Sequence, residues 1–359
     1  MDEVAHADPP DAPGDDHGLV DELRAIGLAA GLAAVGVTPA RSWTHTRGVL
    51  EAGRAAGRHG EMAFTYRKPA RSSDPTRIMA NARTLVVGAW PYRQLVSRPP
   101  ASGVPARVAR YATEDHYGHL DAALGHIADR LRAEGHRCVV VSDENSLVDR
   151  EAAWRAGIGF TGKNSNVLLP GRGSWFVLGS VVTDAYLASS RPPIAEDCGS
   201  CRRCIDACPT QAIIAPGVVD ARRCLAWLLQ RPGSFPHEHR VALGDRIYGC
   251  DDCQEVCPPS RRDERGAEPS PGTWLDTLEL LSLDDASLLE RCGRWYLPNR
   301  DPNVVRRNLL IVTGNSGRST PAVRAVLKRY AIDSDPILAE HASWALARLD
   351  ALPADGQDC

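Results

Sequence analysis

Three observations predict the fold class. Strand and helix patterns alternate as far as about residue 192, eight cysteines crowd between Cys198 and Cys257, and Asp-Pro helix starts recur at Asp301 and Asp335. Together they predict an α/β domain, then a ferredoxin-like module, then C-terminal α-helical HEAT-like repeats. With 359 residues, 43% apolar and 24% charged, the chain can bury several cores, which excludes a wholly disordered, collagen-like or coiled-coil protein. The 42 Lys and Arg against 45 Asp and Glu give a net charge of −3 and no global nucleic-acid signal. Only Lys68, Lys163 and Lys328 are lysine.

Residues 1–18 hold six acidic side chains, no Lys or Arg and no apolar stretch, and are expected to be a disordered acidic tail. A tail of that kind is wrong for export, and no run approaches the ~20 apolar residues of a membrane helix, so a cytoplasmic protein is expected. From Leu19 the pattern LVDELRAIGLAAGLAAVGV reads as an amphipathic helix, a glycine break and a short strand. ARTLVVGAW is a buried strand, HYGHLDAALGHIADRLRAEG a helix, RCVVVS a strand, DREAAWRAG a helix and WFVLGSVVTDAYL a strand or hairpin. SSRPPIAED is the linker that ends the domain. The expected divisions are 19–192, 193–262 and 263–359. In the last, the Asp301 and Asp335 copies each carry apolar positions at helical spacing after the Asp-Pro start, as helical repeats do.

In a cytoplasmic chain, cysteine spacing is read for metal or redox chemistry before disulfides. Cys198-x2-Cys201-x2-Cys204-x3-Cys208-Pro209 is the run that wraps ferredoxin-type [4Fe–4S] clusters, its fourth thiolate carried off to a second cluster. Cys250-x2-Cys253-x3-Cys257-Pro258 lacks one ligand, and Cys224 lies between to supply it. By the crossing rule, Cys198, Cys201, Cys204 and Cys257 hold one cluster, and Cys208, Cys224, Cys250 and Cys253 the other. Zinc is the competing reading for any C-x2-C pair, but the longer run is far more specific. Cys138, Cys292 and Cys359 have no partner at ligand spacing and are read as ordinary residues.

Gly157-Ile158-Gly159-Phe160-Thr161-Gly162-Lys163-Asn164 nearly matches two phosphate-binding glycine motifs. Both need a strand before the loop and a helix after it, whereas here a helix precedes and an extended stretch follows. The glycines read better as a helix end and a turn whose backbone closely approaches some other large ligand.

The order of GEMAF with SDPTRIMANARTLVVGAWPY, RYA with HY, AGIGFTGKNSNVLLPGRGSWFVLGSVVTD, CGSCRRCIDACPTQAI, YGCDDCQEVCP and SDPILAEHASWALARL resembles the epoxyqueuosine reductase family from about residue 19 to 350. The resemblance implies a cobalamin-binding catalytic domain ahead of the two [4Fe–4S] clusters, which reduce cobalamin to Co(I). It implies reduction of the epoxide of epoxyqueuosine in the tRNA anticodon loop to queuosine, with an acid protonating the departing oxygen. The family's acid block aligns with Asp143-Glu144-Asn145-Ser146-Leu147-Val148-Asp149-Arg150, making Asp143 the proton donor, its pKa raised by an apolar corrin face or by Glu144. Matching motifs place Arg71, Ala109, Asp143, Val167, Leu178, Ala226 and Asp251 at cobalamin, although Val167 and Leu178 read equally as strand core. The family's D-Y-H reads His116-Tyr117-Gly118 here, which bears on the substrate. The resemblance also implies a low-potential donor such as flavodoxin or ferredoxin, and a monomer. Arg222, Arg223, Arg306, Arg307, Lys328 and Arg329 are candidate phosphate contacts, against the alternative of solvated charge. Two other functions fit the motifs: a related cobalamin and iron–sulfur reductase of a small epoxide or organohalide, and an electron-transfer ferredoxin on a helical scaffold. The second leaves the α/β domain without a role.

Overall fold

The computed structural model describes residues 17–189 and 192–352. Most of the expected acidic tail, the linker residues Ser190 and Arg191, and Cys359 lie outside the described residues. The first segment forms α1 (His17–Ala29), β1 (Ala34–Pro39), α2 (Thr44–Ala55), α3 (Pro69–Ser72), β2 (Thr84–Pro91), β3 (Pro105–Val108), α4 (His116–Ala133), β4 (Cys138–Ser142), α5 (Asp149–Arg155), β5 (Phe160–Thr161), β6 (Val167–Leu168) and β7 (Phe176–Thr183). His17 and Gly18 therefore open α1 instead of ending the tail.

β1, β2, β7 and β4 make one sheet in that order, and every neighbouring pair is antiparallel. Alternating helices and strands ordinarily give a parallel sheet. Here the chain leaves the sheet after β2 to form β3, and β7 returns between β2 and β4, so no two adjacent strands run the same way. The TLVVGA part of β2 is buried throughout because both faces are covered. Val86 faces the core made by α1 and α4, while Leu85, Val87 and Ala89 face the core that holds Trp43, Ala152 and Ala153. α4 presents Leu120, Leu124, Ile127 and Leu131, all fully buried, at helical spacing. Gly88 and Gly179 pair across β2 and β7, and a Cβ on Gly179 would lie 2.9 Å from Leu124. That close approach is what the two glycines permit.

The second segment carries α6 (Arg203–Asp206), β8 (Ile213–Ala215), β9 (Val218–Val219), α7 (Leu225–Leu228), α8 (Arg240–Leu243), β10 (Arg246–Tyr248), α9 (Asp252–Glu255) and α10 (Pro258–Asp263). The third carries β11 (Trp274–Asp276), α11 (Thr277–Ser282), α12 (Asp285–Cys292), α13 (Asn303–Asn315), α14 (Pro321–Ala331) and α15 (Pro336–Ala351). A second sheet, β10–β3–β11, takes one strand from each segment and joins all three. Among the described residues no helix is long and apolar enough to cross a membrane.

Both Asp-Pro starts work in the same way. Asp301 accepts the Asn303 backbone N–H at 2.9 Å and Asp335 that of Ile337 at 2.8 Å, and α13 and α15 pack together. Two candidate phosphate contacts are excluded here. Arg306 is buried and ion-paired to Asp285 at 2.6 Å. Arg307 is 1% exposed and donates to the carbonyls of Leu228, Leu229, Arg231 and Gly233 and to Asn308 Oδ1, tying α13 to the end of α7. Arg307→Met would strand several buried acceptors and should destabilise the fold by about 3 kcal/mol or more. Lys328→Met, at an exposed position, should stay within about 0.5 kcal/mol, as denaturant unfolding of the two variants would show.

Candidate functional site

The cysteines lie on loops and one-turn helices. Cys198 and Cys201 precede α6, Cys204 is in it and Cys208 follows; Cys224 starts α7, Cys250 precedes α9, Cys253 is in it and Cys257 starts α10. Burial raises the Cys204 thiol, and the nearby Cys198, Cys257 and Cys201 raise it further. Burial likewise raises Cys253, with Cys224 next in effect, then Asp251, Cys204 and Cys208. Cys224 feels burial first and then Cys208 among the thiols, and Cys250 feels burial and then, among the thiols, Cys224. The fold therefore sets Cys257 beside the first run and Cys208 beside the second. Among the described residues no three metal-binding side chains converge as a single-ion site would need. The two groups differ in depth: Cys224, Cys250 and Cys253 are flanked by buried Leu225, Gly249, Asp251 and Gln254, whereas Cys198 and Cys201 are flanked by exposed Asp197, Gly199, Ser200 and Arg202. Cys138 at the start of β4 and Cys292 in the helical core stand outside both groups.

The glycine loop is a brace between domains. Lys163 Nζ donates to the carbonyls of Gly199, at 2.5 Å, and Cys201, at 3.0 Å; Asn164 Nδ2 donates to Cys253 O at 3.3 Å. The loop thus grips both cysteine groups at once. The large neighbour its backbone approaches is the cysteine module. Lys163 and Asn164 were not assigned this role from sequence, and the signal available was a Lys-Asn pair in a glycine loop with the wrong flanking elements for phosphate.

Asp143 follows β4 in a left-handed conformation, φ 49°. Its loop is anchored from two sides: Asn145 Oδ1 accepts Thr65 N–H at 2.8 Å, and Asn145 O accepts Ser72 Oγ at 2.7 Å. Solvent reaches the Asp143 side chain, yet protein surrounds it densely enough to shift its proton affinity. Burial lifts its pKa to about 6, with Arg294 opposing and Asp121 adding. Glu144, expected to help raise it, does not: its carboxylate accepts the Ser146 hydroxyl at 3.0 Å instead. Asp149 is also raised, by burial and then by Asp143, and its Oδ1 is enclosed without a partner. Burial and then the Asp143 charge raise Tyr117, while Tyr248, raised by burial, accepts the Tyr296 N–H at 2.7 Å.

The other candidate cofactor contacts divide. Ala109 and Asp251 come together at Tyr248: Ala109 N–H donates to Tyr248 O at 2.9 Å, and Asp251 Oδ2 accepts Arg110 N–H at 2.8 Å. Asp251 Oδ1 is enclosed and unpaired, and burial lifts this carboxyl to about 6. Ala226 sits in α7 just after Cys224. Val167 is buried in the sheet core and Leu178 packs half-buried against it, the strand-core reading. Arg71 is exposed on α3, and only its neighbour Ser72 reaches the Asp143 loop. Gly118 has a local cause: its N–H is capped by Asp115 at 2.9 Å, and a Cβ there would lie 2.5 Å from the Asp115 carboxylate. Asp115 in turn pairs with Arg294 at 2.7 Å. His116 is buried beside Tyr92, its Nε2 unpaired.

Residues 197–260, which contain the cysteine groups, match the model of the 4Fe-4S double cluster binding domain. The class is therefore a two-cluster iron–sulfur protein. An epoxyqueuosine reductase of Xanthomonas campestris is 33% identical over 370 residues, covering 96% of this chain and 98% of the relative. One of Pseudomonas aeruginosa is 32% identical over 351 residues, covering 94% and 96%. A crystal structure of epoxyqueuosine reductase with an epoxyqueuosine-modified tRNA-Tyr stem loop superposes with a TM-score of 0.84 at 27% identity, covering 93% of this chain and 91% of the other. A Bacillus subtilis epoxyqueuosine reductase, with its catalytic aspartate loop swung out of the active site, matches equally well at 26% identity. The chain belongs to the epoxyqueuosine reductase family, whose members are oxidoreductases.

Proposed function

We propose that this protein reduces the epoxide of epoxyqueuosine in tRNA to the alkene of queuosine, with Asp143 as proton donor. The observation that carries the reading is the Asp143 carboxyl, held to about 6 at the end of β4, in a chain of this family. The reaction consumes two electrons and two protons per epoxide and releases water. Asp143 is protonated over the acidic half of the physiological range and supplies one proton to the departing oxygen. Arg294, held by Asp115, keeps its pKa from rising further.

The groups around Asp143 are those a cobalamin cleft would need. The enclosed, unpaired Oδ1 atoms of Asp149 and Asp251 are acceptors waiting for donors, and Tyr117, Tyr248 and Ala109 give an apolar wall with polar edges. Asp251, Ala109 and Ala226 would hold it on the cysteine side, and Asp143 would face it across the cleft. Bound cobalamin supplies the low-potential reductant, and the two [4Fe–4S] clusters supply its electrons. Cys198, Cys201, Cys204 and Cys257 hold the shallower cluster and Cys208, Cys224, Cys250 and Cys253 the deeper. In this reading residues 19–192 are the cobalamin domain, 193–262 the two-cluster module and 263–359 a HEAT-like repeat domain of a cytoplasmic enzyme.

Exposed Lys328 and half-exposed Arg223 remain available to RNA phosphates, while Arg222 is ion-paired to Asp220 at 2.6 Å and Arg329 donates to Leu281 O at 2.9 Å. Incubating an epoxyqueuosine-containing tRNA stem loop with the reconstituted enzyme and a low-potential reductant should convert it to queuosine by nucleoside mass analysis. Turnover of a small epoxide or organohalide with the stem loop untouched would replace this substrate by the alternative.

A further inference from the structure

The turn that carries Asp143 is held by a single residue in two directions. Asn145 accepts the Thr65 N–H on its side-chain Oδ1 at 2.8 Å and the Ser72 hydroxyl on its backbone oxygen at 2.7 Å. Ser72 is 1% exposed, and its one hydroxyl hydrogen is committed to Asn145, since the Lys68 carbonyl lies farther off at 3.4 Å. Glu144 spends its carboxylate on Ser146 within the turn, so Asn145 supplies the side-chain bond to another segment. Thr65 ends a strap whose other end is fixed on the segment bearing Cys224. There Ala221 N–H donates to Arg58 O at 2.8 Å, and Trp227 Nε1 donates to Gly60 O at 2.6 Å. Along the strap Glu61 (φ 68°) and Thr65 (φ 57°) are left-handed. A β-branched residue seldom takes that conformation and keeps it only where its surroundings fix it. Arg150, at the far end of the acid block, is close enough to Cys224 to favour its thiolate. The strap and the acid block thus both run from the Asp143 turn to the Cys224 segment.

We propose that Asn145 is a positioning residue for the reaction, latching the Asp143 turn to the strap and to α3 and so fixing the carboxyl relative to the Cys224 segment. The inference rests on the reading of Asp143 as the acid. Asn145 is exposed, so water competes for its bonds and the latch can open. Fully buried Leu147 keeps the start of α5 in place, which confines the release to the turn. The charged and titratable groups facing Asp143 are Asp121 and Tyr117 on α4, Asp149 on α5, Tyr248 on β10 and Arg294 after α12. None lies on the strap. Opening the latch therefore acts on Asp143 by removing burial, which returns its pKa toward the ordinary carboxyl range.

The test compares the reconstituted full chain with Asn145→Ala, Asn145→Asp and Ser72→Ala. The readouts are hydrogen exchange of residues 143–146, stem-loop affinity, iron content and the single-turnover rate on the epoxyqueuosine stem loop across pH. Asn145→Ala should speed exchange in the turn and slow the single-turnover step, each about tenfold, with affinity and iron unchanged. Its acid limb should move below 6. Asn145→Asp keeps the acceptor and should keep exchange slow, while its added negative charge moves the limb above 6. A merely structural role would move neither limb. Wild-type exchange, rate and limb in Asn145→Ala would overturn the proposal. Should Asn145→Ala lose iron, Ser72→Ala, which removes the second bond and leaves the turn itself intact, decides by the same readouts. A wild-type protein that leaves the stem loop unreacted would break the substrate reading instead, and the exchange comparison would still decide whether Asn145 holds the turn.

Discussion

Asp143→Asn should lower single-turnover product formation by about 10²–10⁴-fold, the usual contribution of a positioned acid, while stem-loop binding and cluster spectra stay as in the wild type. The substitution keeps the shape of the side chain and its left-handed backbone position, which asparagine tolerates, and removes only the transferable proton. The pH dependence gives a second signature. With the Asp143 pKa raised to about 6, the acid form is complete below that pH, and the rate it supports should fall about tenfold per unit above it. Arg294→Gln should move that limb upward, because the guanidinium that lowers the Asp143 pKa would be gone. A pH profile of the chemical step in wild type and both variants checks all three outcomes. A flat wild-type profile across pH 6 would remove Asp143 as the acid.

Cysteine substitutions test the crossing of ligands between the groups. Cys208→Ala and Cys224→Ala should erase the same electron paramagnetic resonance signal of the reduced protein, and Cys257→Ala the other, each lowering iron from about eight to about four atoms per chain. If the first four cysteines instead served one cluster, Cys208→Ala would act like Cys198→Ala. Product formation should cease in the Cys224→Ala variant even with strong chemical reductant, because the lost group is the one beside the cleft. The braces give a milder case of the same logic: Lys163 holds the shallow loop through its carbonyls and Asn164 the deep one.

Much of the site was legible because its residues are close in sequence. Cysteine runs fix cluster loops by local geometry, and the Asp143 block follows directly on a strand whose period is plain. The strands Thr84–Pro91 and Phe176–Thr183 stood out through continuous apolar runs, which a sheet covered on both faces needs, and Cys138–Ser142 did so although it lies at the sheet edge with Val139 exposed. What escaped was set by distant partners. Pro105–Val108 has too little pattern to read as a strand, and it exists because Arg246–Tyr248 and Trp274–Asp276 pair with it. Arg306 and Arg307 looked like a charge run, but the carbonyls that bury Arg307 lie near residue 230. The glycine loop resembled a phosphate cradle, and its function as a brace depended on Gly199, Cys201 and Cys253 being across from it.

By itself, then, the sequence determined the order of the three segments and the two cysteine runs, each encoded in a short window by spacing or alternation, while Asp143 was singled out only through the resemblance of its block. The tertiary structure alone decided strand direction, the depth of each cysteine group, and the environment that holds Asp143 near 6. Those depend on which remote groups come to surround a residue, since burial and nearby charge, which set a carboxyl's proton affinity and a thiol's accessibility, are properties of three-dimensional neighbours.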